Sequence, residues 1–449
     1  MKATIGMVSL GCSKNQIDAE MMLGNLQKAG YVIKDDAALA DIVIVNTCGF
    51  IESAKREAIE EILELAKIKK EGKIQKIMVT GCLAERYQQK IHDELPEVDA
   101  VLGIGANADI VRHIEAMETD GFVGCFPSKD ALPLNGPRML LNPSYFAYIK
   151  IAEGCSNCCT YCAIPSMRGS YRSREMESII EEAELLAENG AKEVILVAQD
   201  TSRYGQDLYG EYSLSTLLKR LCEIEKLQWI RVLYCYPEAI TDSLLETMAN
   251  EEKIVKYLDI PLQHISDNVL KRMNRRGNRE YITALFEKIR ETVPGIILRT
   301  TFIAGFPGET EEDFTELAEF AKEMCFDRMG CFAYSQEEGT PAAAFSDQID
   351  EDVKNRRAEI LTGQQMNIMT EKAEQYIGSK FTVLVEGFDR YAECYFGRSY
   401  MDAPEIDGKI FFARPGKRPA LGSMVQVKIT ECYETDLFGE MVEQEISGN

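Results

Sequence analysis

The chain begins with short apolar runs that alternate with stretches of helical periodicity. Runs of apolar and β-branched residues predict buried strands, and apolar residues recurring every three or four positions predict helices. The predicted strands are residues 4–10, 42–46, 77–80 and 100–103, and the predicted helices are residues 16–29, 53–67, 85–94 and 108–116. Strands alternating with helices predict a doubly wound parallel α/β domain over residues 1–125.

The alternation stops in residues 126–144, a proline-containing stretch without periodicity that predicts a linker. It resumes over residues 145–376. The strands predicted there are residues 147–152, 193–198, 230–233, 257–260, 297–303 and 328–333, and a long helix is predicted over 352–376. Repeated βα units favour a partial (β/α) barrel of the TIM type, in which functional residues lie at the C-terminal ends of the strands.

From residue 377 to residue 449 the apolar positions alternate with polar ones. Glycine, proline and aspartate occupy the gaps between the alternating segments, which are residues 381–385, 392–396, 410–412, 424–429 and 441–445. This pattern predicts a small antiparallel β-barrel.

The formal net charge of the 449 residues is -23. An acidic surface repels phosphate backbones, so nucleic acid is expected to bind at most peripherally. Residues 377–449 are acidic as well, with eight basic and twelve acidic side chains, whereas an RNA-binding barrel is usually basic. A basic protein partner fits this charge, and maintaining solubility is the alternative explanation.

The chain has fourteen cysteines, more than packing requires. The sequence shows no secretory signal and no apolar run of about 18 residues, the length that a membrane span needs. We therefore expect a cytoplasmic protein without a membrane anchor. Thiols in a reducing compartment serve metal binding or catalysis more often than disulfides.

Three of the cysteines, Cys155, Cys159 and Cys162, have the spacing C-x3-C-x2-C directly after the first strand of the predicted barrel. Three thiolates on one loop can hold a [4Fe–4S] cluster and leave one iron open. An open iron can bind S-adenosylmethionine (AdoMet) through its amino and carboxylate groups and pass it an electron that breaks a carbon–sulfur bond. A structural zinc site is the alternative, and Cys158 could replace Cys159 as a ligand.

Cys12, Cys48 and Cys82 each follow a predicted strand of the first domain, and each has a glycine beside it. The C-terminal ends of parallel strands lie along one edge of a sheet, so these thiols are expected to converge there. The position is compatible with a second cluster with an open iron, and equally with three ordinary buried thiols.

These motifs carry a resemblance to a known family. The cysteine loop and its barrel resemble the radical AdoMet superfamily, and AIPSMRGSYRSR, residues 163–174, is similar to the methylthiotransferases within it. Three segments resemble the RimO branch: SLGCSKN at 9–15, NTCGFI at 46–51 and AQDTSRYG at 198–205. The resemblance covers essentially the whole chain and identifies the terminal barrel as a TRAM domain.

The resemblance implies that an aspartate of small-subunit ribosomal protein twelve receives a methylthio group at its β-carbon. One AdoMet would donate a methyl group to sulfur at a [4Fe–4S] cluster on Cys12, Cys48 and Cys82. A second AdoMet would generate a radical at the cluster on Cys155, Cys159 and Cys162. The partners implied are this ribosomal protein, free or assembled, an electron donor, and a sulfur donor that the sequence does not identify.

Three other functions stay open at this point. The same chemistry on a tRNA adenosine would require nucleic-acid binding. A non-catalytic iron–sulfur electron carrier would hold clusters but leave AdoMet intact, and a large barrel would then have no purpose. A zinc-dependent RNA-binding protein would contain zinc instead of iron and sulfide.

Further candidate residues for AdoMet binding lie at the ends of other barrel strands. The glycine-rich turn with Gly305, Gly308 and Glu309 allows close approach of backbone amides to a ligand, although it is also an ordinary βα turn. The remaining candidates at strand ends are Gln199, Asp200, Gln263 and His264. For His264, the alternative interpretation is a buried histidine with a purely structural role.

Arg168, Arg172 and Arg174 follow the cysteine loop. Guanidinium groups match carboxylates, so these arginines are expected to bind the carboxylate of AdoMet or of the substrate aspartate. A basic run on the surface is the alternative.

Overall fold

The computed structural model describes residues 2–119, 121–414, 416 and 418–442. Its N-terminal domain contains a sheet in which every pair of neighbouring strands is parallel. Strands β1–β6 are Thr4–Ser9, Val32–Lys34, Ile42–Thr47, Lys76–Gly81, Ala100–Leu102 and Val123–Cys125. Their order is β2-β1-β3-β4-β5-β6. The predicted doubly wound domain is therefore confirmed.

Helices cover both faces of this sheet. Helices α1–α5 are Ser13–Lys28, Glu52–Lys70, Cys82–Tyr87, Gln89–Glu94 and Ile110–Thr119. The apolar sides of α1 and α5 pack on one face, and those of α2, α3 and α4 pack on the other. Because both faces are buried, the central strand β3 is buried at every position and apolar at its first four, as in other parallel sheets.

Two details differ from the prediction for this domain. Strands β2 and β6 were not predicted, because three residues are too few to show a periodicity. The helix predicted over 85–94 is two helices, α3 and α4, and it is interrupted where Gln88 adopts a φ of +48°. A left-handed backbone at a non-glycine residue cannot continue a right-handed helix.

The central domain is an open sheet of parallel strands that follow one another in sequence, β14-β13-β12-β11-β10-β7. Strands β7–β14 are Phe146–Lys150, Ala152–Glu153, Arg172–Ser173, Glu193–Val197, Trp229–Val232, Ile254–Asp259, Ile297–Ala304 and Arg328–Ala333. The short strands β8 and β9 pair separately, antiparallel to each other. This architecture confirms the predicted partial barrel.

Helices of the central domain pack outside the sheet and bury its largest apolar cluster. Helices α6–α14 are Ile164–Arg168, Met176–Glu188, Gln206–Tyr209, Leu214–Cys222, Asp242–Asn250, Asp267–Arg272, Arg279–Thr292, Glu311–Met324 and Glu351–Gln375. The long helix α14 agrees with the prediction to within one residue at each end and leads into the third domain.

The third domain is a closed barrel with the order β15-β16-β17-β19-β18. Strands β15–β19 are Lys380–Asp389, Cys394–Arg398, Ile410–Ala413, Met424–Tyr433 and Asp436–Val442. The barrel is confirmed, but the β17–β19 pair is parallel, since β18 intervenes in sequence and pairs elsewhere. Of the strand predicted at 441–445, residues 443–445 lie outside the described residues.

Buried polar contacts join this barrel to the central sheet. Arg398 pairs with Glu193 of β10 at 2.8 Å, and Glu193 also pairs with Arg231 of β11 at 2.7 Å. The Tyr257 hydroxyl of β12 donates to Asp407 at 2.7 Å. These contacts fix the terminal barrel against strands that carry candidate site residues at their other ends. Within the described residues, no helix combines the length and apolar composition needed to cross a membrane.

Candidate active site

The first cysteine triad lies on the loop between β8 and α6. Gly154 starts the loop with a φ of +74°, and a Cβ there would lie 2.1 Å from the Ser170 carbonyl oxygen. The Cys155 amide donates to the Gly169 carbonyl at 3.0 Å, which closes the loop. Only glycine fits this conformation and this close approach, so the local sequence forces the chain to turn directly before Cys155.

Side chains of the loop differ in exposure. Cys155 and Cys159 are buried, Cys162 is partly buried and Cys158 is exposed. Thr160 anchors the loop to the end of α11 through its amide, 3.0 Å from the Met273 carbonyl oxygen. The exposure of Cys158 favours Cys159 over Cys158 as the third ligand.

Burial raises the pKa of the Cys155 thiol to about 11, and Asp200 and Cys159 add to the shift. Burial also raises the pKa of Cys162 to about 12, with contributions from Cys159 and Cys155. Burial and neighbouring cysteines thus both disfavour the thiolates of Cys155 and Cys162. Such thiols are protonated at neutral pH and must release protons when they bind iron.

The second triad lies at the C-terminal edge of the first sheet, as predicted. Cys12, Cys48 and Cys82 follow the adjacent strands β1, β3 and β4. Gly11 has a φ of +93°, and a Cβ on it would lie 2.8 Å from Cβ of Cys48. Asn15 ties the strand ends together, since its side-chain amide donates to the Leu10 carbonyl at 2.7 Å.

Burial raises the pKa of Cys82 to about 12, while Arg168 opposes the shift and the neighbouring thiols Cys12 and Cys48 add to it. For Cys12, burial acts in the same direction, but Lys14, Arg168 and backbone hydrogen bonds from Asn15 and Lys14 together outweigh it, and the pKa is lowered. The cations beside the second triad therefore stabilise the thiolate of Cys12, while burial still raises the pKa of Cys48 and Cys82.

Both triads supply three thiol donors, the donor set of an iron–sulfur cluster that is bound through three of its irons. The thiols of a zinc site lie about 2.3 Å from one centre, whereas those around a cluster attach to separate corners of a cube. In each triad, neighbouring cysteines that are buried or partly buried, and a glycine without room for a Cβ, are compatible with such a group.

A cavity of about 250 Å³ opens beside Cys159. It is lined by residues from the cysteine loop, from the loops after β10 and β11, and from the end of α11: Ser156, Asn157, Cys158, Cys159, Asp200, Arg203, Tyr212, Tyr236, Glu238, Ala239, Asn274, Arg275 and Arg276. Strand C-terminal ends thus surround a space next to the first triad, where the barrel architecture predicts a substrate site.

Three family models match successive parts of the chain. The uncharacterized protein family UPF0004 matches residues 4–103, the radical SAM superfamily matches residues 149–321, and the TRAM domain matches residues 377–442.

Relatives match over almost the whole length. The ribosomal protein uS12 methylthiotransferase RimO of Thermoanaerobacter sp. (strain X514) is 48% identical over 97% of this chain and 99% of that protein. The protein of the same name from Geobacter sulfurreducens is 47% identical over 98% and 99%. The chain belongs to the RimO methylthiotransferase family. The agreement confirms the resemblance that the motifs indicated.

Among solved structures, the radical S-adenosylmethionine methyltransferase TsrM from Kitasatospora setae, with cobalamin and a [4Fe-4S] cluster bound, is similar to this RimO family member. The TM-score is 0.57 at 15% identity, with 86% of this chain and 82% of that chain covered. At this identity the likeness shows the fold alone.

The structure places the predicted AdoMet-binding residues of this RimO family member in different surroundings. Asp200 is buried and lines the cavity, where it accepts hydrogen bonds from Asn157 at 3.2 Å and Ser202 at 2.8 Å. Burial raises the pKa of its carboxyl group. Gln199 is its partly exposed neighbour and is not among the residues that line the cavity.

The glycine-rich turn packs against α14. A Cβ on Gly305 would lie 2.1 Å from Cγ of Lys354, and a Cβ on Gly308 would lie 2.6 Å from an Asp347 oxygen. Glu309 is buried and accepts hydrogen bonds from the Gly305 amide at 2.8 Å and from Arg357 at 2.8 Å. Close packing between protein segments therefore explains why glycine occupies these two positions.

Gln263 and His264 follow β12. Gln263 has a φ of +73° and bonds through its backbone to β13. His264 is fully buried: its Nδ1 accepts from the Ser266 amide at 3.0 Å, and its Nε2 lies 3.4 Å from a Glu309 oxygen. The structure brings His264 and Glu309 together, and neither of them lines the cavity beside Cys159.

The three predicted carboxylate-binding arginines do not converge. Arg168 is buried against Asp18 at 2.5 Å and Glu153 at 3.3 Å, and Arg174 pairs with Glu182 at 2.5 Å. Arg172 is partly buried and donates to the Asp130 carbonyl at 2.8 Å. The idea of a surface basic run is wrong for Arg168 and Arg174, because both are buried and bind protein carboxylates.

Sequence reasoning missed three arginines that line the cavity, Arg203, Arg275 and Arg276. Arg203 lies inside the segment 198–205 that carried the resemblance, three residues after Asp200. Arg275 and Arg276 form a pair of basic residues just before Gly277. The sequence signal that could have identified Arg203 is its position close to Asp200, a carboxylate at a strand end.

Proposed function

We propose that this chain is a radical AdoMet methylthiotransferase that inserts a methylthio group at the β-carbon of an aspartate in small-subunit ribosomal protein uS12. One observation carries the proposal: proteins named ribosomal protein uS12 methylthiotransferase RimO are nearly half identical to it over 97–99% of its length. A carbon–hydrogen bond at such a carbon has no acidity that a base could exploit, so a radical is required.

The proposed domains are residues 1–125 with an auxiliary cluster, a linker at 126–144, a radical AdoMet domain at 145–376 and a TRAM domain at 377–449. Each family match lies inside one of the three domains. The observed sheets and barrel also begin and end within these ranges.

We assign one [4Fe–4S] cluster to Cys155, Cys159 and Cys162 and a second to Cys12, Cys48 and Cys82. When bound, the clusters and AdoMet supply the one-electron cleavage of a carbon–sulfur bond and the methylthio group. The protein contributes thiols that are convergent before the clusters arrive. Electrons have to come from an external donor.

Within the cavity, the buried Asp200 carboxylate is our candidate to accept hydrogen bonds from the AdoMet amino group or ribose. It is oriented by Asn157 and Ser202, so its position is fixed before AdoMet binds. Gln199 extends from the same strand end. We assign a positioning role to Gln263, His264, Gly305, Gly308 and Glu309, because their contacts hold the ends of β12 and β13 next to the cavity.

The charge of the chain supports a basic protein substrate. Its net charge of -23 attracts a basic ribosomal protein and repels RNA phosphates. We infer that the enzyme works in the cytoplasm, where this ribosomal protein is made and assembled. An acidic TRAM domain fits the same substrate better than a tRNA.

The decisive experiment reconstitutes the chain anaerobically with iron and sulfide and supplies AdoMet and a reductant. Purified uS12, assembled small subunits and tRNA are offered separately, and mass spectrometry of peptides and nucleosides locates any methylthio group. We expect the modification on an aspartate of uS12. Modification of tRNA alone would overturn the substrate, and clusters without AdoMet cleavage would indicate an electron carrier.

A further inference from the structure

The cavity beside Cys159 has an unusual charge for so acidic a protein. Three arginines line it, Arg203, Arg275 and Arg276, against two carboxylates, Asp200 and Glu238. Asp200 already accepts hydrogen bonds from neighbouring side chains. A chain with a net charge of -23 thus concentrates positive charge at one enclosed place. Such a lining suits a small anionic group.

Arg275 is the most enclosed of these arginines, with 8% of its surface exposed. Its guanidinium lies over the ring of Tyr236, 4.3 Å from the centroid, and one nitrogen donates to the Pro261 carbonyl at 2.9 Å. Among the described residues, its other terminal nitrogen, Nη1, has no hydrogen-bond partner. A guanidinium is always charged, and a buried donor without a partner is costly. Arg275 is therefore held by an aromatic ring and one carbonyl, and its Nη1 is left without a hydrogen-bond partner.

Arg203 shares this property at the same cavity. Its Nε is buried and has no hydrogen-bond partner among the described residues. Its guanidinium carbon lies 5.8 Å from the centroid of the Tyr171 ring. Two aromatic rings thus hold two arginines that both keep unsatisfied donors at one cavity. Planar guanidinium groups bind carboxylates with matched geometry.

We propose that Arg275, together with Arg203, binds the side-chain carboxylate of the substrate aspartate and so determines specificity for aspartate. This assignment rests on the proposed function. The reacting β-carbon is bonded directly to that carboxylate carbon, so holding the carboxylate fixes the carbon that loses hydrogen. AdoMet carries the other carboxylate in the reaction, but that group is needed at the open iron.

The chemistry predicts discrimination between aspartate and asparagine. An asparagine side chain would leave a buried guanidinium without a charged partner. The loss of binding free energy is large, because hydrogen bonds to charged groups are stronger than those between neutral groups. The test uses two uS12 peptides that differ only by aspartate or asparagine at the modified position. Fluorescence anisotropy gives the affinity of each peptide for the reconstituted enzyme, and peptide mass spectrometry gives kcat/KM.

For Arg275→Gln, we expect affinity for the aspartate peptide to fall by about 10–100-fold, with little change for the asparagine peptide. The preference for aspartate is then lost. Arg203→Gln should act in the same direction, and Arg275→Lys should retain part of the preference. Lys271→Gln is the matched control, because it removes an exposed charge from α11, the helix that ends three residues before Arg275.

AdoMet affinity and deoxyadenosine formation without peptide form the second arm. Both should be unchanged in Arg275→Gln. If AdoMet binding weakens while the aspartate preference survives, the carboxylate is that of AdoMet and the proposal is overturned. It is also overturned if neither peptide preference nor AdoMet binding responds.

Iron content and the melting temperature check that each variant is folded and loaded. If Arg275→Gln fails this check, Arg275→Lys and Arg203→Gln decide the question by the same criteria. A wild-type enzyme that modifies neither the peptide nor intact uS12 would instead refute the proposed function. That result is distinct from a wild type that is active without distinguishing aspartate from asparagine, which refutes only the arginine assignment.

Discussion

The two cysteine triads reach convergence by opposite routes. Cys155, Cys159 and Cys162 share one loop, and their spacing and a single glycine turn bring them together. Cys12, Cys48 and Cys82 are spread over the first 82 residues and meet only because β1, β3 and β4 are neighbours in a parallel sheet. The loop triad depends only on its local sequence, whereas the second triad forms only when the whole domain is folded.

Their surroundings differ as well. In the loop triad, burial, Asp200 and Cys159 raise the pKa of Cys155 to about 11, and burial with the neighbouring thiols raises that of Cys162 to about 12. The sheet-edge triad lies beside Lys14 and Arg168, which lower the pKa of Cys12 despite its burial. Before iron binds, Cys12 therefore differs from Cys155 and Cys162, while the pKa of Cys82 is raised to about 12 as that of Cys162 is.

Replacing the loop triad should have the largest effect. In the variant with Cys155, Cys159 and Cys162 changed to Ala, we expect iron to fall from about eight to about four per chain, because one of two four-iron clusters is lost. Deoxyadenosine formation should fall below detection by liquid chromatography. Cys158→Ala is the control and should keep both iron and cleavage. If Cys158→Ala loses the cluster and Cys159→Ala retains it, our ligand assignment is wrong.

Replacing the sheet-edge triad should separate two activities. With Cys12, Cys48 and Cys82 changed to Ala, iron should again fall by about four per chain. Reductive cleavage of AdoMet should persist, because the loop triad is intact, while methylthiolated uS12 should be absent. Cys125→Ala, a partly buried cysteine of the same domain, should leave both activities unchanged. Methylthiolation by the triple variant would contradict the assignment of the second cluster.

The same contrast explains what could be predicted from the sequence. The loop triad could be found from spacing, and the sheet-edge triad from the positions of three cysteines relative to predicted strands. Short strands such as Val32–Lys34 were missed because they carry no periodicity. The partners of Arg168 were missed because Asp18 and Glu153 lie far apart in sequence, and only the packing of α1 against β7 and β8 brings them together.

Arg168 links the two regions that hold the triads. It extends from the end of α6, after the cysteine loop, and pairs with Asp18 of α1, while Lys150 pairs with Asp18 at 2.5 Å and Glu153 at 2.7 Å. All of these side chains are buried. In Arg168→Met, two carboxylates would share one lysine. Removing one partner from a buried ion pair costs about 3–5 kcal/mol. Urea unfolding of the apoprotein should show this loss of stability.

The matched control for this variant is Arg172→Met, four residues along the chain. Arg172 is partly exposed, binds backbone carbonyls and lies 3.7 Å from the exposed Asp130 carboxylate. Partly exposed contacts of this kind are worth less than about 1 kcal/mol. Equal destabilisation by the two variants would show that the buried network does not hold the domains together.

The smallest effect concerns the thiols of the apoprotein. Cys12 and Cys162 belong to the same exposure class, since both are partly buried residues. Thiolate is the reacting form. A pKa of about 12 leaves roughly one Cys162 in ten thousand ionised at pH 8. Cys12, with its lowered pKa, is ionised to a far larger extent. A lower pKa also reduces nucleophilicity, but by less than the gain in thiolate. We expect Cys12 to react at least about tenfold faster.

The pH dependence sharpens this last prediction. Between pH 7 and pH 10 the rate for Cys162 should rise about tenfold per pH unit, since the whole range lies below its pKa of about 12. The rate for Cys12 should level off once the pH passes its lowered pKa.

Lys14→Gln removes the largest influence that lowers this pKa, so alkylation of Cys12 at pH 8 should slow while that of Cys162 stays the same. Tryptic mass spectrometry measures both sites in one sample. Faster labelling of Cys162 than of Cys12 would mean that the cations at the sheet edge do not offset burial, and the electrostatic contrast between the two triads would not hold.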